Sequence, residues 1–244
     1  MEGGYTERHT KTQTRLTEPQ GKIKNWSNDT ELFDMMKERL YAAVVSDALD
    51  AAGYREQALR HTIRPLTPMT VVVGRAMPVL CVEVYEIPDE PYQQEIAAVD
   101  SLKQDDVLIC STNESTRICF WGELLSTAAL ARGARGAVID GFIRDVRQIM
   151  EMGFPVFTTG LSPVDSNGRG DVIAYNVPIE CGGVTVNPGD IVFGDADGVV
   201  VIPQAVETTV IEAALEKVSG ENRTRDALRA GATLREVYDK YGIL

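Results

Sequence analysis

Leu32, Met35, Met36, Leu40 and Ala43 recur at three- and four-residue steps, which predicts a helix starting at Asp29. Ser46 then reads as the N-cap of a second helix, Asp47-Ala-Leu-Asp-Ala-Ala, that stops at Gly53. Positions 69–81 are β-like. Val71-Val-Val-Gly-Arg-Ala predicts a strand whose Gly74 marks a bulge or a close approach, and Pro78-Val-Leu-Cys-Val predicts a second strand. A loop over 88–94 leads into a short helix over 94–101. Asp106-Val-Leu-Ile-Cys-Ser, with four apolar residues in a row, predicts a fully buried strand. An amphipathic helix opens near Gly122 and stops at Gly133. The next strand is 136–139, closed by a turn pair, Asp140-Gly141. A helix over 146–152 ends at Gly153, and Pro155-Val-Phe-Thr-Thr is a further strand. This strand–helix–strand spacing predicts a βαβ unit.

Beyond Val172 the pattern turns all-β, with strands at Val184-Thr-Val, Ile191-Val-Phe and Val199-Val-Val-Ile. Asn187-Pro-Gly-Asp and Asp195-Ala-Asp-Gly read as turns. A helix over 204–219 and a charged helix pair follow. Residues 1–28 are polar and aperiodic and read as an extension, leaving 29–244 as one α/β domain.

Composition narrows the function classes. Hydrophobic residues make up 44% and charged residues 25%, as in a globular protein with a real core. No run approaches the ~18 apolar residues of a membrane helix, and the N-terminus has no apolar signal core, so a cytoplasmic protein without membrane contact is expected. The net charge of −12 repels phosphate backbones and argues against nucleic acid as a partner. It also means that an anionic substrate needs local positive charge. The four cysteines, Cys81, Cys110, Cys119 and Cys181, are scattered and read as buried small hydrophobes. The two histidines are His9, in the polar leader, and His61. A Ser-His-Asp triad or a His-rich metal site would therefore rest on His61 alone. Any catalysis here is therefore expected to use carboxylates, arginine, backbone amides or an oxygen-ligated metal.

The densest candidate is Gly136-Ala-Val-Ile-Asp-Gly-Phe-Ile-Arg-Asp-Val-Arg147. A strand ending in a Gly turn delivers loop residues to the rim of a sheet, where α/β proteins place ligands. There Asp145 can hold a cation and Arg144 an anion. The same two residues also suit a surface ion pair at a helix start. The helix start at Gly122 offers unpaired amides, from Gly122, Glu123, Leu124 and Leu125, that can cradle a carboxylate. If the strands are neighbours, both features face one pocket, with Glu123 pointing into it. Arg147 reads as solvated. Asp195 and Asp197 read as a turn rather than a metal cluster, and Gly168-Arg-Gly is too short for a phosphate loop.

Taken together, Val45-Ser-Asp-Ala-Leu-Asp, Trp121-Gly-Glu-Leu-Leu, Arg132-Gly-Ala-Arg-Gly-Ala-Val-Ile-Asp-Gly-Phe-Ile-Arg-Asp, and the run from Val184 to Pro203 resemble a known family. It is that of the aldolases cleaving 4-hydroxy-4-methyl-2-oxoglutarate and 4-carboxy-4-hydroxy-2-oxoadipate, which share a fold with RraA-type regulators of ribonuclease E. The resemblance implies a swivelling α-β-β-α sandwich, assembled as a homotrimer or homohexamer with intersubunit active sites. It implies that Asp145 holds Mg²⁺ or Mn²⁺ and Arg144 binds the pyruvyl part of a 2-oxo acid. The amides of Gly122 to Leu125 would hold its carboxylate, with Glu123 as an acidic residue near the metal. A neighbouring subunit's C-terminal region would add an acid, for which Glu216 and Glu221 are candidates. The loops 88–94 and 162–169 would meet the far end of the substrate. The implied reaction is retro-aldol cleavage of a 4-hydroxy-2-oxo acid to pyruvate, with oxaloacetate decarboxylation as a side activity. A non-catalytic regulator, or another metal-dependent lyase or hydratase of 2-oxo or sugar acids, remains open.

Overall fold

The structure is a computed structural model that describes residues 26–242; most of the predicted 1–28 extension, His9 included, lies outside them. In chain order its elements are α1 (Asp29–Arg39), α2 (Ala42–Ala51), β1 (Arg64–Pro65), β2 (Val72–Glu83), α3 (Gln93–Asp100), β3 (Asp106–Ser111) and β4 (Cys119–Trp121). There follow α4 (Glu123–Ala131), β5 (Gly136–Ile143), α5 (Val146–Met152), β6 (Val156–Leu161), β7 (Gly170–Tyr175), β8 (Ile179–Cys181) and β9 (Val184–Val186). The chain ends with β10 (Ile191–Asp195), β11 (Gly198–Ile202), a short 3-10 turn, α6 (Glu207–Arg229) and α7 (Leu234–Tyr241).

One mixed sheet carries the fold, in the order β1-β6-β5-β3-β2-β10-β11, with β4 added on β5 and β7 on β2. β2, β3, β5 and β6 are parallel neighbours, and β10 and β11 return antiparallel. The sheet nearly closes. The segment entering β1 bonds β11, from Leu59 N to Val199 O (2.8 Å) and from Val201 N to Gln57 O (2.9 Å). Three cores result. Met77, Leu108, Ile139 and Trp121 pack under α3, α4 and α5. Phe193, Val200 and Ile202 pack under α1, α2 and α6. Between the sheet's two inner faces lie Val107, Ile109, Val138, Phe157, Val192 and Val201, capped by the β8–β9 hairpin. This is the helix–sheet–sheet–helix layering that the resemblance implied.

Five local expectations need correction. The segment 69–81 is one strand, not two. β2 runs unbroken through Pro78 because proline falls between β10, whose pairing ends at Arg75, and β7, whose pairing begins at Val79. Its missing N–H costs no ladder bond there, while its carbonyl accepts from Asn176 N at 2.7 Å. Asp140-Gly141 is no turn either, since β5 continues to Ile143. The buried Asp140 accepts from Gly182 N (3.1 Å) in the β8–β9 hairpin, and the register with β6 shifts between Ile139 and Phe142. The glycine thus marks a bulge, which aims the end of the strand. Ser46 sits inside α2 rather than capping it. The helix starts at Ala42, whose N–H donates to Asp195 Oδ2 at 2.7 Å, a cap supplied from far along the chain. Ala43, placed on the apolar stripe, is exposed. Finally, the helix expected to stop at 219 runs through the buried Gly220 to Arg229.

Gly74 is the close approach read from the sequence. A Cβ there would lie 2.5 Å from Asp105 O and 2.8 Å from Val107 Cγ2. Gly74→Ala is expected to lower unfolding free energy by about 1–3 kcal/mol, the usual cost of overpacking. Urea unfolding checks this, and an unchanged midpoint would show that the β2–β3 contact relaxes freely.

Candidate active site at the carboxyl ends of β4 and β5

β4 and β5 are parallel and paired, with Trp121 opposite Ile143. Each is followed at once by a helix, so the starts of α4 and α5 emerge side by side. Arg144 N donates to Trp121 O at 2.9 Å and ties the two exits together. Trp121 is buried; its Nε1 donates to Ser126 Oγ (2.8 Å), which donates to Gly122 O (2.9 Å). These bonds lock the first turn of α4 against the strand that precedes it.

Gly122 is extended (φ −156°), so it is needed for space and not for a special dihedral. A Cβ would stand 2.7 Å from Asp145 Oδ2 and 3.4 Å from Arg144 Cγ. Asp145 is the N-cap of α5 in the left-handed region (φ 59°, ψ 32°), which is uncommon for a residue with a side chain. Its carboxylate accepts from Glu123 N at 3.1 Å. Arg144 lies between two carboxylates, with Nε 3.7 Å from Asp145 Oδ2 and Nη1 3.5 Å from Asp165 Oδ1.

These groups border a cavity of about 320 Å³, a size suited to a small organic acid. Gly122, Leu124, Leu125, Arg144 and Asp145 from the sequence-derived set line it. Glu123 does not. Its carboxylate accepts from Thr127 Oγ1 at 2.8 Å, one turn along α4, while its amide donates to Asp145. Glu216 and Glu221 are on α6, which packs in the other helix layer, and neither borders this cavity. Glu216 is exposed, and Glu221 accepts from the Tyr41 hydroxyl. Asp195 and Asp197 form the expected turn, with Asp197 N bonded to Asp195 Oδ1 at 2.9 Å. Arg147 is solvated, facing Glu151. His61 is exposed, and all four cysteines are free and buried.

The sequence did not mark Tyr92, Glu95 and Asp165 as individuals. Two of them lie in the loops expected to meet the substrate. The Tyr92 hydroxyl donates to Asp165 Oδ2 at 2.7 Å. Burial opposes ionisation of Asp165, but the Tyr92 hydroxyl, the Arg144 charge and the backbone amides of Ser166 and Asn167 together outweigh it and hold the carboxyl below its ordinary range. Glu95 goes the other way: burial pushes it up to about 7. Cys119, also on the cavity wall, is pushed by burial to about 11, so its thiol is neutral. No helix is long and apolar enough to cross a membrane among the described residues.

Asp145 is a hard oxygen donor beside the cavity. Among the described residues no group of three or more His, Cys, Asp or Glu side chains gathers there. A divalent ion on Asp145 would therefore keep water or substrate oxygens as most of its ligands. That donor set fits Mg²⁺, and Mn²⁺ with it, better than zinc or another soft metal.

The model of the family described as "RraA-like: Aldolase/RraA" matches residues 42–201. Protein DlpA of Legionella pneumophila is 31% identical over 207 residues, covering 82% of this chain but 32% of DlpA, so the chain spans about a third of that relative. A Halalkalibacterium halodurans protein named "Putative 4-hydroxy-4-methyl-2-oxoglutarate aldolase" is 33% identical over 75% of this chain and 82% of its own. The crystal structure of Streptomyces coelicolor RraAS2, described as an unusual member of the RNase ES inhibitor RraA protein family, superposes with a TM-score of 0.72 at 28% identity. That match covers 82% of this chain and all of RraAS2. With the matched stretch running from α2 to β11 and enclosing the Gly122–Asp145 junction, this chain belongs to the RraA-like (Aldolase/RraA) family.

Proposed function

We propose that this protein is a divalent-metal-dependent carbon–carbon lyase that cleaves a 4-hydroxy-2-oxo acid by a retro-aldol reaction, releasing pyruvate, and that it also decarboxylates oxaloacetate. The observation that carries this reading is the convergence of Arg144, Asp145 and the first-turn amides of α4 on one cavity. The aldolase names of several relatives point the same way.

Each residue has a task in this reading. The Leu124 and Leu125 amides at the start of α4, with the helix's partial positive charge, hold the substrate carboxylate, while the Glu123 amide is given to Asp145. Arg144 places a fixed positive charge on the 2-oxo oxygen, where negative charge grows as the C3–C4 bond breaks. Asp165 and Asp145 keep the guanidinium from swinging away. Asp145 would hold Mg²⁺ or Mn²⁺, which supplies Lewis-acid stabilisation of the developing enolate. The scheme requires neither histidine nor a Schiff-base lysine, in keeping with the composition. In a chain of net charge −12, Arg144 and the helix start supply the local attraction that an anionic substrate needs.

The same reading includes a homotrimer or homohexamer. Leu124 (77% exposed) and Ile96 (54%) stand at the cavity mouth, and Leu161 (60%) lies across Arg144. Exposed apolar side chains grouped around a site are the surface that a second copy covers.

Purified protein with Mg²⁺ is expected to form pyruvate from oxaloacetate and from a panel of 4-hydroxy-2-oxo acids. Asp145→Ala should abolish both, and Arg144→Gln should lower kcat by about 10²–10³-fold. Full activity in Asp145→Ala would refute the metal assignment. A wild type inert towards the whole panel would favour a regulator of the RraA type. Light scattering should give three or six copies per particle, and Ile96→Asp should reduce that number. A monomeric wild type would remove the intersubunit part of the proposal.

A further inference from the structure

Retro-aldol cleavage moves one proton: it leaves the C4 hydroxyl and one must arrive at C3. None of the residues assigned so far does this. Arg144 is a donor without a lone pair to spare. Asp145 is the proposed cation ligand. The Glu123 carboxylate is turned along α4 to Thr127. The Tyr92 hydroxyl is donated to Asp165, and burial together with that carboxylate raises its pKa. The Cys119 thiol is neutral. His61 is exposed and away from the cavity.

Glu95 remains. It lies in the first turn of α3, whose start is fixed by Tyr92 in the left-handed region (φ 65°, ψ 4°). α3 packs beside α4, and Glu95 borders the cavity that Gly122, Arg144 and Asp145 border. Among the described residues its one side-chain hydrogen bond comes from Ser166 Oγ to Oε2, at 3.4 Å. Oε1 has no hydrogen-bond partner among the described residues. A carboxylate half-buried in a pocket wall with a single weak partner is poorly explained by stability alone.

We infer that Glu95 is the proton-transfer residue of this site, carrying the hydroxyl proton of the substrate to C3; the inference rests on the retro-aldol reading above. The Glu95 carboxylate takes the C4 hydroxyl proton, and the C4 oxygen becomes a carbonyl as the C3–C4 bond breaks. The electron pair of that bond passes into the pyruvyl half as an enolate. Glu95, now protonated, gives the same proton to C3, which leaves pyruvate and restores the carboxylate. Atoms and electrons balance with no further reactant. C3 and C4 are bonded neighbours, so one carboxyl group reaches both.

The surroundings suit the task. Burial raises Glu95 to about 7; the Ser166 bond lowers it, Asp165 raises it, Arg144 lowers it and Asp171 raises it. The other groups facing it are the Tyr92 hydroxyl, which burial keeps protonated, and the neutral thiols of Cys81, Cys110 and Cys119 on β2, β3 and β4. A group that titrates near neutrality is present in both of the forms that a relay alternates between.

The test compares three reactions of the Mg²⁺-loaded protein, in wild type and in Glu95→Gln. These are retro-aldol cleavage, deuterium exchange into the methyl group of pyruvate in D₂O, and oxaloacetate decarboxylation. Decarboxylation makes the same enolate without removing a hydroxyl proton, and the released enol ketonises in water. Glu95→Gln should therefore lose cleavage and exchange by about 10²-fold or more, while decarboxylation falls by less than about tenfold. Wild-type kcat/KM for cleavage should rise with pH through about 7, because the carboxylate is the form that starts the reaction, and this limb should be missing from the residual activity of Glu95→Gln. Glu95→Asp should restore part of the exchange. Cleavage and exchange at wild-type rates in Glu95→Gln would overturn the inference and leave the function standing. Equal loss of all three reactions would assign Glu95 a structural role and overturn it as well. A wild type that performs none of them would overturn the function together with the inference.

Discussion

The site depends on the absence of a side chain at Gly122. Two parallel strands, β4 and β5, end next to each other, and each turns directly into a helix. For both helix starts to face one cavity, the backbone of the first must approach the side chain at the start of the second. A methyl group at position 122 would stand 2.7 Å from Asp145 Oδ2, well inside contact distance. Glycine removes that obstacle, and the Glu123 amide then reaches the same oxygen at 3.1 Å. The left-handed backbone of Asp145 costs on the order of 1 kcal/mol, and the bond to that amide is part of what holds it there. Arg144 follows from the same junction, because its own amide is bonded to Trp121 O, directly before the glycine.

Within this junction the environment divides the carboxylates into different kinds. Asp165 accepts from a tyrosine hydroxyl and from the Ser166 and Asn167 amides and faces a guanidinium, and these effects together outweigh its burial, so it stays ionised. Glu95 is more deeply buried with one weak partner, and burial prevails. Two acids within one cavity thus take opposite shifts. This separation of titrating groups is how one pocket supplies a fixed charge and a mobile proton together. Sequence identity alone could not have distinguished the two roles, since an aspartate in a loop and a glutamate on a helix look equally solvated before the chain folds.

The sequence was readable where the cause of structure is local. β3, α4 and α5 have the expected positions because apolar runs and glycine stops act over a few residues. The Arg144-Asp145 pair was legible for the same reason, being contiguous and just past a strand. It misled where a distant partner decides. α2 starts at Ala42 because Asp195, 153 residues away, accepts its amide. β2 passes through Pro78 because two antiparallel neighbours leave a gap at that residue. Asp140-Gly141 resembles a turn pair, but the aspartate is recruited by the β8–β9 hairpin and the strand goes on. Glu95 was invisible for a related reason. The loop 88–94 before it was expected to meet the substrate, but nothing in the sequence marks Glu95 itself, and most of its neighbours in the cavity come from residues 119–122, 124–125, 144–145 and 165–166.

The openness of the cavity bears on how strongly these groups act. Leu124 and Ile96 present their side chains to solvent directly beside the α4 amides and Glu95. Water at the mouth screens Arg144 and weakens its hold on an oxyanion. Under the proposed assembly, a second copy seated on these side chains would displace that water without touching the chemistry itself. Arg144 would gain, because the carboxylates on either side of it and the substrate oxygen would interact with it through a less polar medium. Coverage of the apolar rim and a firmer hold of Arg144 on the oxyanion would then follow from one event, which would give the position of those leucine and isoleucine side chains a reason beyond adhesion.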